Sequence, residues 1–225
     1  ESMGADNIGG RTRAIQPDRS NINRLWAGGV SGGLFVSLNK GNTWDRVESY
    51  FAAGANPFIS SMTQTPDNTI FVATGSNNEG WNGNGVWYST DFGTTWSSIP
   101  GTSSCTEIVS SNADNYVWMA TSTGLKKWKL GDTALTSVSV TGANGGCAAL
   151  QMSKDGNVVV ASFGANKTYV SVNAGAAFVD KSGTAANDLV PNGAARIEYA
   201  ISPIKNSSNH YSIYAVRTNG NLMSM

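Results

Sequence analysis

The chain has 225 residues, 26 of them Gly and only 13% charged, against roughly 7% Gly and about 25% charged residues in an average soluble domain. Fifteen Lys and Arg balance fifteen Asp and Glu, and a zero formal charge argues against an electrostatic nucleic-acid binder or a polybasic membrane-surface protein. Hydrophobic residues at 40% supply a core, no apolar run approaches the ~18 residues of a membrane span, and one His and two Cys leave no material for a His-based triad, a multi-His zinc site or a four-Cys metal centre.

In chain order, short β-branched and aromatic runs alternate with Gly, Asp, Asn and Pro turns, which is strand chemistry. The first group of runs is 12–15, 25–28, 33–36 and 44–47. The second is 60–64, 70–74, 85–88 and 96–99. The third is 107–110, 117–121, 124–128 and 137–140. The fourth is 149–152, 158–162, 168–171 and 178–181. The fifth is 196–201, 213–216 and 220–224. The groups recur every ~40–50 residues with four strands each, labelled a to d, and that period predicts an all-β propeller of four-stranded antiparallel blades. Approximate blades are 9–47, 58–99, 105–141, 147–181 and 195–225. No 3.6-residue apolar stripe of helical length competes with this reading. The chain opens at Glu1 without an initiator Met or a signal peptide, which suggests a processed or partial sequence. The fifth group stops inside its strand c, so the expectation is either a fragment of a larger propeller or a blade closed by residues 1–4.

The c–d turns carry a motif of their own, Ser-x-Asp/Asn-x-Gly-x-Thr-Trp. It stands at Ser37, Asn39, Gly41 and Trp44; at Ser89, Asp91, Gly93 and Trp96; and, with Phe in the last place, at Ser171, Asn173, Gly175 and Phe178. An Asp or Asn side chain accepts N–H bonds inside its own turn, Gly supplies positive φ, and the closing aromatic drops into the blade core. Two of the three motifs carry Asn, which suits turn capping and not acid–base chemistry.

Loops offer the binding candidates. The b–c loop 75–84 carries Asn78, Glu79 and Trp81 and ends at Asn84, and the d–a loop before it carries Tyr50, Phe51, Asn56 and Phe58. In a propeller these connections share one face, where aromatic plates with amide donors suit a sugar or a peptide; the alternative is that Trp81 folds back as a plug. Cys105 and Cys147 take matching places at the start of strand a in consecutive groups, which allows either a disulfide or two small buried thiols. No metal site and no cofactor are expected.

The three motifs resemble the Asp-box, or bacterial neuraminidase repeat, of sialidases, sortilin-type propellers and xyloglucanase-type glycosidases. The opening residues 7–15, followed by residues 27–34, are similar to the first blade of large secreted Bacteroidetes proteins exported by type IX secretion. The resemblance implies a secreted or cell-surface propeller and places the boxes away from any active site. A sialidase-like site would need an arginine cluster, yet the Phe-Arg-Ile-Pro motif is missing and Gly10-Arg11-Thr12-Arg13-Ala14 stands in its place. A glycosidase needs two carboxyls; Glu107 and Glu198 share one strand-a column and are the catalytic candidates, or else they pair with nearby cations. The reading that follows is a binding or interaction module for a glycan or a cell-surface protein, without catalysis. Its alternatives are a glycoside hydrolase completed by further blades, and a passenger of outer-membrane secretion or adhesin machinery. Neither nucleic acid nor a membrane span enters any of them.

Overall fold

The computed structural model describes residues 11–75, 80–103, 105–164, 167–183, 197–217 and 222–224. Sheet 1 is β1 (Thr12–Pro17), β2 (Leu25–Gly29), β3 (Gly33–Ser37) and β4 (Asp45–Arg46); sheet 2 is β5 (Ile59–Gln64), β6 (Ile70–Thr74), β7 (Val86–Ser89) and β8 (Ser97–Ser98). Sheet 3 is β9 (Cys105–Val109), β10 (Val117–Thr121), β11 (Gly124–Trp128) and β12 (Thr136–Ser137); sheet 4 is β13 (Cys147–Met152), β14 (Val159–Phe163), β15 (Lys167–Ser171) and β16 (Val179–Asp180). Sheet 5 has three strands among the described residues, β17 (Ile197–Ile201), β18 (Ile213–Arg217) and β19 (Leu222–Ser224). Each sheet is a meander of consecutive strands in sequence order. The all-β, antiparallel expectation is met throughout. The chain forms two compact units, Glu1–Ile108 and Val109–Met225, with the boundary inside β9.

Register repeats as closely as sequence. The motif Ser ends the third strand opposite the first residue of the second: Leu25 pairs with Ser37, Ile70 with Ser89 and Val159 with Ser171. The first strands of sheets 1, 2 and 4 share an irregularity at one place, between Thr12 and Ala14, Ile59 and Ser61, and Cys147 and Ala149. Central strands such as β6 and β10 are buried along their whole length, so their runs read as continuous apolar stretches and not as alternation.

Within the first unit, Trp26, Leu34, Tyr50, Ile59, Val72 and Trp96 form the core between sheets 1 and 2. The sheets approach so closely at Gly28 that a Cβ there would stand 2.5 Å from Ile59 Cγ2. Within the second unit, Trp118, Leu150 and Tyr169 pack together, and Val160, Val170, Tyr199 and Ile213 join sheets 4 and 5. A buried hydroxyl pair, Thr168 with Tyr199 at 2.7 Å, ties the same two sheets.

The three motif turns are superposable networks. The Ser hydroxyl donates to the Asn39, Asp91 or Asn173 Oδ1 at 2.9, 2.8 and 2.8 Å. It also accepts the Gly41, Gly93 or Gly175 N–H at 2.8, 2.8 and 3.0 Å. The same Oδ1 accepts the N–H of Thr43, Thr95 or Ala177, each at 2.9 Å. Two consecutive residues take left-handed φ: Lys40-Gly41, Phe92-Gly93 and Ala174-Gly175. The motif glycine also serves packing. A Cβ on Gly93 would meet the Trp26 ring of sheet 1 at 2.7 Å, and one on Gly175 would meet the Trp118 ring of sheet 3 at 2.4 Å.

One element is absent from the sequence reading. Residues Glu48–Ala52 form a short helix, α1, in the connection from β4 to β5. Its N-cap residue, Val47, makes no side-chain cap bond, and a helix of five residues is not stable alone. Burial of Tyr50 between the sheets anchors it.

Candidate functional site

The site is built in the first unit, where the β6–β7 connection lies against the segment leading into β5. Asn84 is its hub. Its Oδ1 accepts the Asn56 N–H and the Trp87 indole N–H, both at 3.1 Å, and its Nδ2 donates to the Gly54 carbonyl at 2.7 Å. Asn56 Nδ2 returns a bond to the Asn82 carbonyl at 3.0 Å, and the Thr74 hydroxyl donates to the Gly85 carbonyl at 2.7 Å. Gly83 presses on this frame so tightly that a Cβ would stand 2.0 Å from the Thr74 carbonyl oxygen. Only a residue without a side chain permits that approach.

On this frame Trp81 stacks against Phe58, with ring centroids 4.9 Å apart and planes 27° apart. Both rings are half-buried. Beside them lies a cavity of about 250 Å³ lined by Thr74, Gly75, Asn82, Gly83, Ser103, Cys105 and Thr106. Its lining offers hydroxyls, amides and backbone groups. No carboxylate or cation is among these described residues.

Tyr50 requires a correction. It is not a ligand plate. It is fully buried, it donates its hydroxyl to the Asn56 carbonyl at 3.1 Å, and its ring meets Phe51, Trp87 and Trp96 edge-on. Burial pushes its phenol far above the usual range. The residue is a core post under the loop, because an aromatic between two sheets gains more from burial than from solvent. Asn78 and Glu79 lie outside the described residues. Of the two alternatives for the cysteines, the structure shows the second: both are buried thiols, and neither is in a disulfide. Each thiol instead faces a carbonyl two residues on, Cys105 that of Glu107 at 3.5 Å and Cys147 that of Ala149 at 3.6 Å. Burial raises the Cys105 thiol well out of the reactive range.

Glu107 is half-buried on β9, next to the cavity residues Cys105 and Thr106, whereas Glu198 is exposed on β17 of the other unit. Among the described residues there is no cluster of three His, Cys, Asp or Glu that could hold a metal ion, and no helix is long and apolar enough to cross a membrane. The second unit has a larger cavity, about 520 Å³, whose lining includes Val158, Val170, Ile213, Lys205, His210 and Tyr211. Asp155, paired with Lys205, is held at about 2: burial raises it, but bonds from Ser153, the Asn157 N–H, Tyr211 and Lys205 outweigh that. Sequence reasoning placed Asn56 and Asn84 in the candidate loops as amide donors but did not foresee their bridging role, and it missed the hydroxyl lining. The Asn84-Gly85 step just before β7 is the one signal that marked a special turn.

No protein-family model matches the chain. A stretch of 103 residues, 44% of the chain, is 33% identical to the Neosartorya fischeri protein named "Probable oligoxyloglucan-reducing end-specific xyloglucanase", of which the chain covers 12%. An ancestral GH74 enzyme superposes with a TM-score of 0.68 at 16% identity, over 97% of this chain and 32% of that one. An auxiliary nutrient binding protein from Bacteroides thetaiotaomicron gives a TM-score of 0.63 at 12% identity, over 96% of this chain and 57% of that one. The chain thus spans about an eighth of the curated relative and about a third of the GH74 enzyme. Likeness at such identity establishes the fold, a β-propeller of four-stranded antiparallel sheets, and leaves function to the site itself.

Proposed function

We propose that the protein is an extracellular β-propeller binding module for neutral glycans, with no chemistry of its own. Trp81 and Phe58 form the stacking platform, and the cavity beside them takes the sugar hydroxyls. The observation that carries this reading is an aromatic pair set on a rigid amide frame beside a cavity lined by uncharged polar groups. Rings hold the apolar C–H faces of sugars, and hydroxyls and amides give directional bonds. An acidic sugar would need a cation that the described lining does not provide. The nutrient-binding propeller of similar fold supports the same direction. Affinity electrophoresis through gels containing neutral or acidic polysaccharides tests it. Retardation by neutral polymers alone is expected, with Trp81→Ala lowering affinity about tenfold, which is ~1.4 kcal/mol. Retardation by uronic-acid polymers alone, or equal retardation of Trp81→Ala, overturns the reading.

A second reading is favoured by the xyloglucanase-like stretch and by Glu107 at the cavity margin. In it the protein is part of a glycoside hydrolase, and Glu107 is one of the two carboxyls that glycoside hydrolysis requires. Release of reducing ends from a neutral polysaccharide, abolished by Glu107→Gln with binding unchanged, would establish it in place of the first.

A further inference from the structure

The cavity beside the aromatic pair is walled by polar groups that are not equivalent, because most of them are already committed to the fold. The Thr74 hydroxyl donates to the Gly85 carbonyl at 2.7 Å and accepts the Asn84 N–H at 2.9 Å. The Gly75 N–H donates to the Phe58 carbonyl at 2.7 Å. The Cys105 thiol, a weak donor at best, faces the Glu107 carbonyl at 3.5 Å, and Thr106 has an interaction of its own. Such groups shape the wall and have little left to offer a ligand.

Asn82 and Ser103 differ. Both line the cavity and both are exposed, and neither side chain hydrogen-bonds to another of the described residues. Their backbones, in contrast, are pinned. The Asn82 carbonyl accepts the Asn56 Nδ2 bond at 3.0 Å, and the next residue, Gly83, sits hard against the Thr74 carbonyl. Ser103 follows Thr102, whose buried hydroxyl accepts the Val86 N–H at 2.8 Å and donates to the Ile99 carbonyl at 2.7 Å. Asn82 also follows Trp81 directly, so the loop that carries the stacking ring carries this carboxamide too. Uncommitted donor and acceptor groups on a fixed backbone make a preorganised site, since little freedom is lost when a ligand arrives.

We propose, resting on the neutral-glycan reading above, that Asn82 and Ser103 are the specificity-determining pair of the site, and that they read the configuration of the hydroxyls on one neutral sugar residue. The carboxamide and the hydroxyl each donate and accept, which matches a sugar hydroxyl, itself both donor and acceptor. The cavity has room for one sugar residue and not for a run of them, since about 250 Å³ falls below the roughly 300–1,000 Å³ of clefts that enclose drug-sized molecules. Trp81 and Phe58 supply affinity for any sugar with an apolar face. Asn82 and Ser103 then choose among such sugars, because a misplaced hydroxyl leaves a polar partner unpaired and is rejected.

Competition in affinity gels tests the proposal. Methyl β-glycosides of glucose, mannose and galactose are added to a neutral-polysaccharide gel that retards the protein; mannose and galactose each differ from glucose by one inverted hydroxyl. One of the three is expected to release the unaltered protein at about a tenth of the concentration that the others need, the worth of one or two net hydrogen bonds. Asn82→Ala and Ser103→Ala, both at exposed positions, should each bring the three sugars to within about threefold of one another. Trp81→Ala should weaken all three alike and keep their order, and Ser103→Thr, which retains the hydroxyl, should keep the preference. Circular dichroism verifies that every variant is folded. Retardation without preference among the three sugars, or a preference that survives in Asn82→Ala or in Ser103→Ala, overturns the assignment and leaves the neutral-glycan reading standing. Absence of retardation of the unaltered protein by any neutral polymer overturns that reading, and the assignment with it.

Discussion

The motif glycine answers two demands at once. At Gly93 and Gly175 the backbone is left-handed, with φ of 86° and 80°, and an indole ring of another sheet occupies the place of a Cβ. Gly93→Ala or Gly175→Ala is expected to cost roughly 2–5 kcal/mol, the sum of left-handed strain and overpacking. Gly41→Ala, with its nearest neighbours at 3.5 Å, should cost only the strain, about 1–2 kcal/mol. Urea denaturation of the three variants measures the difference; equal losses would mean that the indole contact contributes nothing. Asp91 makes a separate prediction. Its carboxylate is held down at about 2, first by the Thr95 hydroxyl and amide and then by Ser89. A depressed carboxylate stabilises the fold above its ordinary value, near 3.8, and that contribution is lost as pH falls through about 2. Asp91→Asn, the residue already present in the other two motifs, should therefore be less stable than the unaltered protein near neutrality. The gap should close between about pH 4 and pH 2. A gap independent of pH would remove the carboxylate from the turn's stability.

At the scale of elements, the strands were readable because each is a short β-branched or aromatic run closed by turn residues, and the motif fixed where the third strand ends. What was not readable follows from the same physics. Helix α1 has no side-chain cap and no helical stripe; its one turn exists because Tyr50 is buried, a tertiary effect that leaves no local signal. Tyr50 and Trp81 look alike in sequence, both aromatics in polar connections, and only packing separates the fully buried Tyr50 from the half-buried Trp81 stacked on Phe58. The loop frame was hidden for a similar reason, since Asn is common in every turn and nothing local shows that the Asn84 carboxamide bridges Gly54, Asn56 and Trp87. Asn84→Ala should cost about 1–2 kcal/mol of stability and weaken ligand binding through loss of the Trp81 pose. Asn84→Asp keeps both accepted bonds and should fall between. Thermal melts read together with binding isotherms measure this. Unchanged binding in Asn84→Ala would show that the platform orients itself.

At the scale of the whole molecule, five repeats of one sheet plan give a fold shared with enzymes and binding proteins alike, so the fold cannot choose between them. The choice rests on one aromatic pair and its uncharged surroundings. Saturation-transfer difference NMR with a neutral oligosaccharide addresses that pair directly. Strong saturation of the sugar C–H protons that face Trp81 is expected, lost in Trp81→Ala and retained in Glu107→Gln. Saturation that persists unchanged in Trp81→Ala would contradict it.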